Sequence, residues 1–380
     1  MTDEPVLDRV RRRLSAEAIE PTPQTVAAAL RSEQRVAGSG TVLDVVDQLR
    51  SETHGAGPLD PLLAMPGVTD VLVNGAGSVH VDRGRGLEVV DVRFDDEVAV
   101  RRLAQRLAAQ AGRRLDDASP WVDARLADGT RLHAVLAPLA RPGTTISLRV
   151  PARRTFSLDE LCAEGAVGPS ARDCLRDVVA SRCAFVVSGG TGSGKTTLLS
   201  AMLAEVDPTE RIIVVEDSTE LRPEHPHVVG LEARPANAEG AGLVTVRDLV
   251  RQALRMRPDR LVVGEVRGAE VVDLLAALNT GHEGGCGTVH ANAPHDVPAR
   301  FEALGVAAGL PREAVHSQMA AGIDVVLHVT RRRDGRRTVS QVAVTERDVD
   351  GLVRCVPALV FDEGLDHRGP GAPRLRDVLA

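Results

Sequence analysis

The segment FVVSGGTGSGKTTLLS, residues 185–200, constrains the fold of this chain more than any other part of its sequence. Gly189, Gly194, Lys195 and Thr196 fit the pattern G-x-x-x-x-G-K-[ST], in which a glycine-rich loop wraps phosphate groups. The apolar run CAFVVS precedes the loop, and TTLLSAMLAEV, which has the composition of a helix, follows it. A strand, this loop and a helix in direct succession define a P-loop, which belongs to an α/β domain.

Lys195 is the only lysine among the 46 lysine and arginine residues of the chain. A compact ammonium on a thin stem fits between loop and phosphates, whereas a planar guanidinium is wider and does not. The loop amides and the helix N-terminus add further attraction for an anion. We therefore predict that the loop binds ATP and that the Thr196 hydroxyl holds Mg²⁺. The predicted nucleotide-binding residues are Gly189, Gly190, Thr191, Gly192, Ser193, Gly194, Lys195, Thr196 and Thr197.

Two further apolar runs end at acidic residues. RIIVVEDSTEL supplies Glu216, Asp217 and Glu220, and DRLVVGEVRGAE supplies Glu265 and Glu270. The carboxyl ends of strands in an open α/β sheet meet at the edge where ligands bind, so we expect these acids beside the phosphate loop. ATP hydrolysis needs an acid near Mg²⁺ and a group that orients the attacking water. Residue chemistry alone does not assign the two roles.

A glycine-rich segment with two histidines, TGHEGGCGTVHAN, follows the second acidic run. It contains His282 and His290. No set of cysteine or acidic ligands at zinc spacing surrounds them, so a zinc site is not expected. Each histidine could sense a phosphate or make a structural hydrogen bond, and the sequence leaves both roles open.

The overall composition disfavours several classes of protein. The formal net charge is −7, and no aromatic residues are interleaved with basic ones, so direct nucleic-acid binding is not expected. The five cysteines are scattered without a CxxC pair, which favours reduced thiols in the cytoplasm. The start lacks the apolar segment of a signal peptide, and no run approaches the ~18 apolar residues of a membrane span.

The pattern of apolar residues predicts several segments. Residues 1–54 are predicted to be a helical extension, and residues 55–150 a separate α+β domain. In that domain VTDVLVN, SVHVDRG and LEVVDVRF alternate like strands, and DEVAVRRLAQRLAAQAG reads as an amphipathic helix. Asp128-Gly129 suits a hairpin turn.

The second half of the chain alternates helices with continuous apolar strands. We assign residues 151–167 to a linker and 168–380 to the C-terminal ATPase domain. CAFVVSG, RIIVVED and RLVVGE predict a parallel sheet covered on both faces. IDVVLHVTR and RTVSQVAVT flank Asp334-Gly335 and predict an antiparallel hairpin. The arginines around that turn, Arg331–Arg333 and Arg336–Arg337, are interpreted as a solvated face or a docking patch.

Over residues 55–345 the chain resembles the motor ATPases of type II and type IV secretion and type IV pili, most closely the CpaF/TadA-type ATPases of Tad (Flp) pilus systems. The resemblance rests on four ordered segments: GGTGSGKTT, RIIVVEDSTEL, LRMRPDRLVVGEVRGAE and TGHEGGCGTVHAN. GPLDPLL, VTDVLVNG, DARLADGTRLHAVLAP and ISLR also resemble the N-terminal domain of that branch. The resemblance implies an α/β fold, with a RecA-like P-loop ATPase core, a separate N-terminal α+β domain and a short helical lead-in.

The resemblance also implies roles for individual residues. Glu220 matches the carboxylate that activates water, and Glu265 matches the acid that holds Mg²⁺ through water. His290 matches a histidine that reports the state of the γ-phosphate, and His282 matches the first histidine of that segment. Arginines of the N-terminal domain that reach the phosphates are matched by Arg125, Arg131 and Arg149.

The expected function is an ATP-hydrolysing homohexameric motor for Tad/Flp-type pilus assembly or protein secretion. Its implied partner is an inner-membrane platform protein, so we expect it in the cytoplasm, peripheral to the inner face of the membrane. Two alternatives are an ATPase of a conjugative, DNA-transferring type IV system and a nucleotide-dependent adaptor with vestigial hydrolysis. A direct nucleic-acid translocase is disfavoured by the acidic net charge.

Overall fold

The computed structural model describes Arg13 and residues 22–32, 55–84, 86–151, 154–236, 240–281, 284–332, 334–362 and 365–380. The chain divides into two compact units, Met1–Pro151 and Ala152–Ala380. Within the predicted helical extension, helix α1 (Pro23–Ser32) is described, as the sequence predicted. Apart from Arg13, the helices predicted on either side of α1 lie outside the described residues.

The first unit contains a six-stranded antiparallel sheet. The spatial order of its strands is β3-β2-β1-β6-β5-β4. On each of the strands β1, β2, β5 and β6 alternate residues are buried in one common core, which is the pattern of a sheet packed on one face. The elements are α2 (Asp60–Leu63), β1 (Asp70–Asn74), β2 (Val79–Asp82), β3 (Leu87–Val90), α3 (Glu97–Gln110), β4 (Trp121–Arg125), β5 (Arg131–Val135) and β6 (Thr145–Arg149).

Helix α3 begins and packs as its sequence predicts. The Asp96 side chain accepts a 2.7 Å hydrogen bond from the amide of Ala99, which caps the helix N-terminus. Val100, Leu103 and Leu107 recur at helical spacing and are buried in the core of this unit. The α+β character expected for the N-terminal domain is confirmed, and so is the hairpin around Asp128-Gly129.

The second unit is built on a nine-stranded mixed sheet. Its strand order is β15-β14-β13-β12-β7-β11-β10-β8-β9. The elements are α4 (Leu158–Ala163), α5 (Pro169–Ala180), β7 (Phe185–Gly189), α6 (Lys195–Leu203), β8 (Ile212–Glu216), β9 (Val228–Glu232), α7 (Val246–Ala253), β10 (Arg260–Val266), α8 (Glu270–Leu278), β11 (Cys286–His290), α9 (Val297–Ala307), α10 (Arg312–Gly322), β12 (Val325–Arg331), β13 (Arg337–Arg347), β14 (Val353–Asp362), β15 (Leu365–Arg368) and α11 (Ala372–Leu379).

Six neighbouring strands of this sheet, from β12 to β9, run parallel. Strands β12 to β15 continue it as an antiparallel meander. The carboxyl ends of β7, β8, β10 and β11 therefore lie at one edge, as the sequence predicted. The antiparallel hairpin around Asp334-Gly335 is confirmed as well.

Helices cover both faces of the sheet. Alternate strand residues enter two separate cores, with Val187 and Val214 in one and Val186 and Val215 in the other. Helices α4, α5, α6 and α11 contribute to the first core, and α7 to α10 contribute to the second. The arrangement is the three-layered α/β core expected of a P-loop ATPase.

Two segments carry more structure than the sequence indicated. Residues 151–167, assigned to a linker, include α4, whose Leu158 and Leu161 are buried in the first of these cores. The chain beyond residue 345, which the resemblance did not cover, continues β13 and adds β14, β15 and α11. The proposed domain boundaries stay a prediction. No helix among the described residues has the length and apolar character needed to cross a bilayer.

Candidate nucleotide-binding site

The phosphate loop joins the end of β7 to the start of α6. Gly189 ends β7, and a Cβ atom placed on it would lie 2.4 Å from the carbonyl oxygen of Val329 and 2.6 Å from Oγ of Ser193. Gly192 and Gly194 have φ angles of +68° and +97°, which side chains of L-residues rarely adopt. Glycine is thus required by close approach at 189 and by backbone conformation at 192 and 194.

Lys195 is folded back onto this loop. Its Nζ donates to the carbonyl oxygens of Gly189 at 3.0 Å and Gly190 at 2.9 Å. The side chain is buried, and burial lowers the pKa of the ammonium, which the negative charges of Glu265 and Glu220 partly oppose. The compact cation is thus held by carbonyl oxygens inside the loop, and its predicted contact with phosphates stays a prediction.

A line of contacts links Lys195 to the end of β10. Nζ of Lys195 lies 3.4 Å from Nδ1 of His290, and Nε2 of His290 lies 2.6 Å from Oε1 of Glu265. The other oxygen of Glu265 accepts a hydrogen bond from the Arg267 guanidinium. His290 is also paired in register with Gly189 across β11 and β7, which fixes its ring next to the loop.

The charges around His290 decide its ionisation. Burial and the neighbouring Lys195 ammonium lower its pKa, while Glu265 acts in the opposite direction. The side chain of Glu265 is itself largely buried, and its bond to Arg267 raises the pKa of that guanidinium. The line of contacts therefore contains two cations, Lys195 and Arg267, the Glu265 carboxylate, and a histidine that favours its neutral form.

The acids after β8 have separate environments. Glu216 is buried, and its Oε1 accepts hydrogen bonds from the amides of Glu220 at 3.0 Å and Leu221 at 3.1 Å. Burial raises the pKa of Glu216 to about 7. Glu220 is exposed, and its charge acts on both Lys195 and Arg267. Glu216 therefore holds the turn in place through the backbone amides of Glu220 and Leu221, whereas the Glu220 side chain is exposed to solvent.

Glu270, the second acid that the sequence offered after β10, is also structural. Its Oε1 accepts hydrogen bonds from the backbone amides of Arg267 at 2.6 Å and Gly268 at 2.7 Å. It closes the loop between β10 and α8 and is buried there. Glu265 remains as the acid of this strand that faces the loop.

His282, together with Glu283, lies outside the described residues. The other histidine that borders the site, His328 on β12, was not singled out by the sequence. Its Nδ1 lies 2.9 Å from Oγ of Ser188, the residue before Gly189, and burial lowers its pKa. A histidine in an apolar strand gives no sequence signal of such a contact, because its partner lies 140 residues away.

The three arginines that the resemblance places near the phosphates lie in one row of the first unit's sheet. Arg125 pairs with Arg131 across β4 and β5, and Arg131 pairs with Arg149 across β5 and β6. Residues directly opposite in antiparallel strands project to the same face, and like charges in that position are destabilising. The row continues to Asp70 on β1, opposite Arg149.

The residues of the phosphate loop fit a nucleotide with Mg²⁺. The Ser193 hydroxyl is buried without a described partner, beside the space that a Gly189 side chain would fill. Among the described residues no group of three or more His, Cys, Asp or Glu is placed to hold a metal ion. Mg²⁺ in nucleotide sites takes few protein ligands and relies on phosphate oxygens and water, so a single acid and a hydroxyl are sufficient.

Comparison with known proteins agrees with this geometry. Residues 52–357 match the model of the family described as "Type II/IV secretion system protein". The chain belongs to the type II/IV secretion system protein family. A Mycobacterium tuberculosis protein named "Putative conjugal transfer protein" is 58% identical over 348 residues, which cover 90% of this chain and 98% of the relative.

Two further similarities are less close. Type IV secretion system protein PtlH of Bordetella pertussis is 32% identical over 313 residues, covering 75% of this chain and 92% of PtlH. The X-ray structure of the Legionella pneumophila ATPase DotB covers 78% of each chain with a TM-score of 0.50 at 20% identity, which bears on the fold alone. The predicted α/β P-loop core with an N-terminal domain is confirmed for this member of the secretion family.

Proposed function

We propose that this chain hydrolyses ATP to ADP and phosphate and uses the reaction to drive a type II/IV secretion or pilus assembly. The observation that carries the proposal is the line of contacts from Lys195 through His290 to Glu265 and Arg267, beside the phosphate loop. It gathers a phosphate-binding cation, a polar ring and an acid at the edge where ligands of α/β sheets bind.

Each group has a distinct role in the proposal. The loop amides from Gly189 to Thr197 and the Lys195 ammonium bind the β- and γ-phosphates of ATP. Thr196 directly and Glu265 through water would hold Mg²⁺, which neutralises phosphate charge when bound. The exposed Glu220 carboxylate orients the attacking water. His290, in contact with both Lys195 and Glu265, responds to the arrival of the γ-phosphate.

The arginines of the first unit complete the charge balance in this proposal. Arg125, Arg131 and Arg149 would reach the phosphates within a homohexamer. Their shared face supports this role, since directly opposite residues of antiparallel strands project to the same side and can approach one anion together. An arginine that contacts the phosphate being transferred raises the rate of such reactions by a factor of ~10³–10⁵. If the arginines move with their own domain, hydrolysis is coupled to motion.

The proposed partner is an inner-membrane platform protein, with the motor at the cytoplasmic face. Two kinds of assembly are candidates. The resemblance to CpaF/TadA-type ATPases favours a Tad/Flp pilus or protein export. The name of the relative at 58% identity favours conjugal transfer. Deleting the gene in its host and scoring both pilus filaments and transfer of a mobilisable plasmid would separate the two.

A pair of variants tests the hydrolysis itself. Glu220→Gln should bind ATP like the wild type and lose turnover, because an amide, unlike the carboxylate that it replaces, does not accept a proton from water. Asp217→Asn, in the same exposed turn, is the matched comparison and should keep turnover. ATPase rates are measured over a range of protein concentrations, with and without the cognate platform protein.

The outcomes of this assay are distinct. Loss of turnover only in Glu220→Gln supports the assignment, and loss only in Asp217→Asn moves the role to the neighbouring acid. If the wild type hydrolyses no ATP even as an assembled ring with its membrane partner, the enzyme proposal fails and a nucleotide-dependent adaptor takes its place.

A further inference from the structure

Arg337 lies against the outer side of the phosphate loop. Its Nε donates a 2.9 Å hydrogen bond to the carbonyl oxygen of Gly192. Its Cδ would lie 3.3 Å from a Cβ atom placed on Gly194, and its own Cβ would lie 3.9 Å from it. The aliphatic stem thus covers the backbone at Gly194 while the guanidinium holds the carbonyl two residues earlier. Both of these loop positions have positive φ.

The sheet fixes this side chain relative to the loop. Arg337 begins β13, and it pairs with Arg331 at the end of β12. Strand β12 in turn pairs in parallel with β7, with His328 opposite Ser188, one residue before the loop starts. The strand that leads into the phosphate loop and the strand that carries Arg337 are therefore separated by a single strand.

Arg337 differs from its neighbour in its partners. The Arg336 guanidinium forms a hydrogen-bonded ion pair with Asp334 in the hairpin turn. For Arg337 the described residues supply only the Gly192 carbonyl as a partner. Arg337 is exposed and donates to a backbone carbonyl of the phosphate loop, and no carboxylate among the described residues is paired with it. A positive charge in that position suits a site that binds an anion.

The direction of this bond matters for the loop. In a P-loop the amides point inward to the phosphates, whereas the Gly192 carbonyl accepts its bond from the exposed Arg337. A charged donor on the Gly192 carbonyl polarises the peptide that it shares with Ser193, and its amide then becomes a stronger inward donor. The bond also restrains two residues whose glycine backbone would otherwise populate many conformations.

We propose that Arg337 is a positioning residue for nucleotide binding, which holds the Gly192–Gly194 backbone in its phosphate-binding conformation and so raises affinity for nucleoside di- and triphosphates. The inference rests on the proposed nucleotide binding and adds a residue that acts through the loop, without contact to the bond that breaks. It replaces the interpretation of Arg337 as part of a solvated or docking patch.

Calorimetric titration of the full chain with ADP and with a nonhydrolysable ATP analogue tests it. Arg337→Ala should raise both dissociation constants about tenfold, the order expected for loss of one charged hydrogen bond. The KM for ATP should rise in parallel, while kcat at saturating ATP stays near the wild-type value. Arg337→Lys keeps the charge and one donor, and it should recover part of the affinity. Arg336→Ala, next in sequence and paired with Asp334, is the matched control and should bind like the wild type.

Several results would overturn the inference. Unchanged dissociation constants in Arg337→Ala would do so, as would an equal effect of Arg336→Ala or a fall in kcat with affinity intact. Thermal unfolding without nucleotide reports whether the alanine variant folds. If the alanine variant does not fold, the Arg337→Lys variant decides the question. Wild-type affinity and a wild-type KM in Arg337→Lys would contradict a role that depends on the geometry of the guanidinium. Failure of the wild type to bind ADP would instead refute the proposed function.

Discussion

Nζ of Lys195 and the Glu265 carboxylate lie at opposite ends of the His290 ring, with Nδ1 of the ring 3.4 Å from the ammonium and Nε2 2.6 Å from Glu265 Oε1. A neutral ring with its proton on Nε2 suits the ammonium, since Nδ1 then accepts from Lys195. The lowered pKa of His290 favours that neutral form. One imidazole thereby connects the phosphate-binding cation to the acid at the end of β10.

Replacing His290 by Asn should slow hydrolysis more than it weakens binding. The ring orients Glu265, and removing a residue that orients a metal ligand costs about 10–100-fold in activity. We expect kcat to fall by that order while the dissociation constant for ADP changes little. His295→Asn removes an exposed histidine from the following turn and should leave both quantities unchanged. A purely structural role for His290 would instead lower thermal stability and affinity together.

Replacing Lys195 by Arg should abolish nucleotide binding although the charge is kept. The ammonium is buried between two loop carbonyls, and a guanidinium is too wide for that position. Titration with ADP should show no binding at concentrations that saturate the wild type, with an unchanged circular dichroism spectrum. Retained affinity in this variant would mean that charge alone suffices and that the solitary lysine has no steric basis.

Adjacent glycines in the loop should respond differently to alanine. A Cβ atom on Gly189 would overlap the Val329 carbonyl at 2.4 Å, whereas one on Gly190 meets nothing within 4 Å. Gly189→Ala should lose about 1–3 kcal/mol of unfolding free energy, the usual cost of overpacking, and bind ADP poorly. Gly190→Ala should fold like the wild type. Equal stability of the two variants in urea titrations would contradict the crowding at residue 189.

The elements of the second unit were readable from the sequence because parallel strands are marked by local signals. Each is a short apolar run followed by glycine or acid, so the carboxyl ends that form the site can be recognised locally. The roles of the individual acids were not readable. Glu216, Glu220 and Glu270 all lie at or just after the carboxyl end of a strand, and only burial and backbone partners separate the structural acids from the exposed one.

Arginines were the least predictable part of the site. In a chain with one lysine, an arginine near a glycine carries no information by itself. Arg337 contacts a carbonyl 145 residues away, and that contact depends on how the hairpin is placed in the sheet. Arg267 lies only two residues from its partner Glu265, yet nothing in RGAE distinguishes it from a surface residue. Tertiary placement, not residue type, gives these side chains their roles.

Replacing Arg131 by Gln should lower ATP turnover. Arg131 stands between Arg125 and Arg149 in the strand register, so the three side chains project to the same face. We expect ATP turnover of the assembled protein to fall steeply, because the middle guanidinium of the row is lost. His133→Gln, two residues along the same strand, serves as the control and should keep normal turnover. An Arg131→Gln variant with normal turnover would remove the arginine row from the proposed mechanism.

Replacing Glu216 by Gln should stabilise the protein only at higher pH. The pKa of this carboxyl rises from its ordinary value of 4.5 to about 7 because burial penalises the charge. Between those values the unfolded chain has lost the proton and the folded chain keeps it, so the carboxyl makes stability fall as pH rises, and above about 7 the cost is complete. A shift of this size corresponds to about 3 kcal/mol at most.

The side-chain amide introduced by Glu216→Gln has no such titration, and its oxygen can still accept from the backbone amides of Glu220 and Leu221. Urea unfolding of wild type and Glu216→Gln at about pH 5 and about pH 8 should show a difference that shifts in favour of the variant at the higher pH. Glu224→Gln, which replaces an exposed glutamate bonded to Thr155, controls for the loss of one charge and should show no such shift. A difference between Glu216→Gln and wild type that is the same at both values would mean that Glu216 is not held in a buried, charge-excluding position. The turn that presents Glu220 would then be fixed by some other contact.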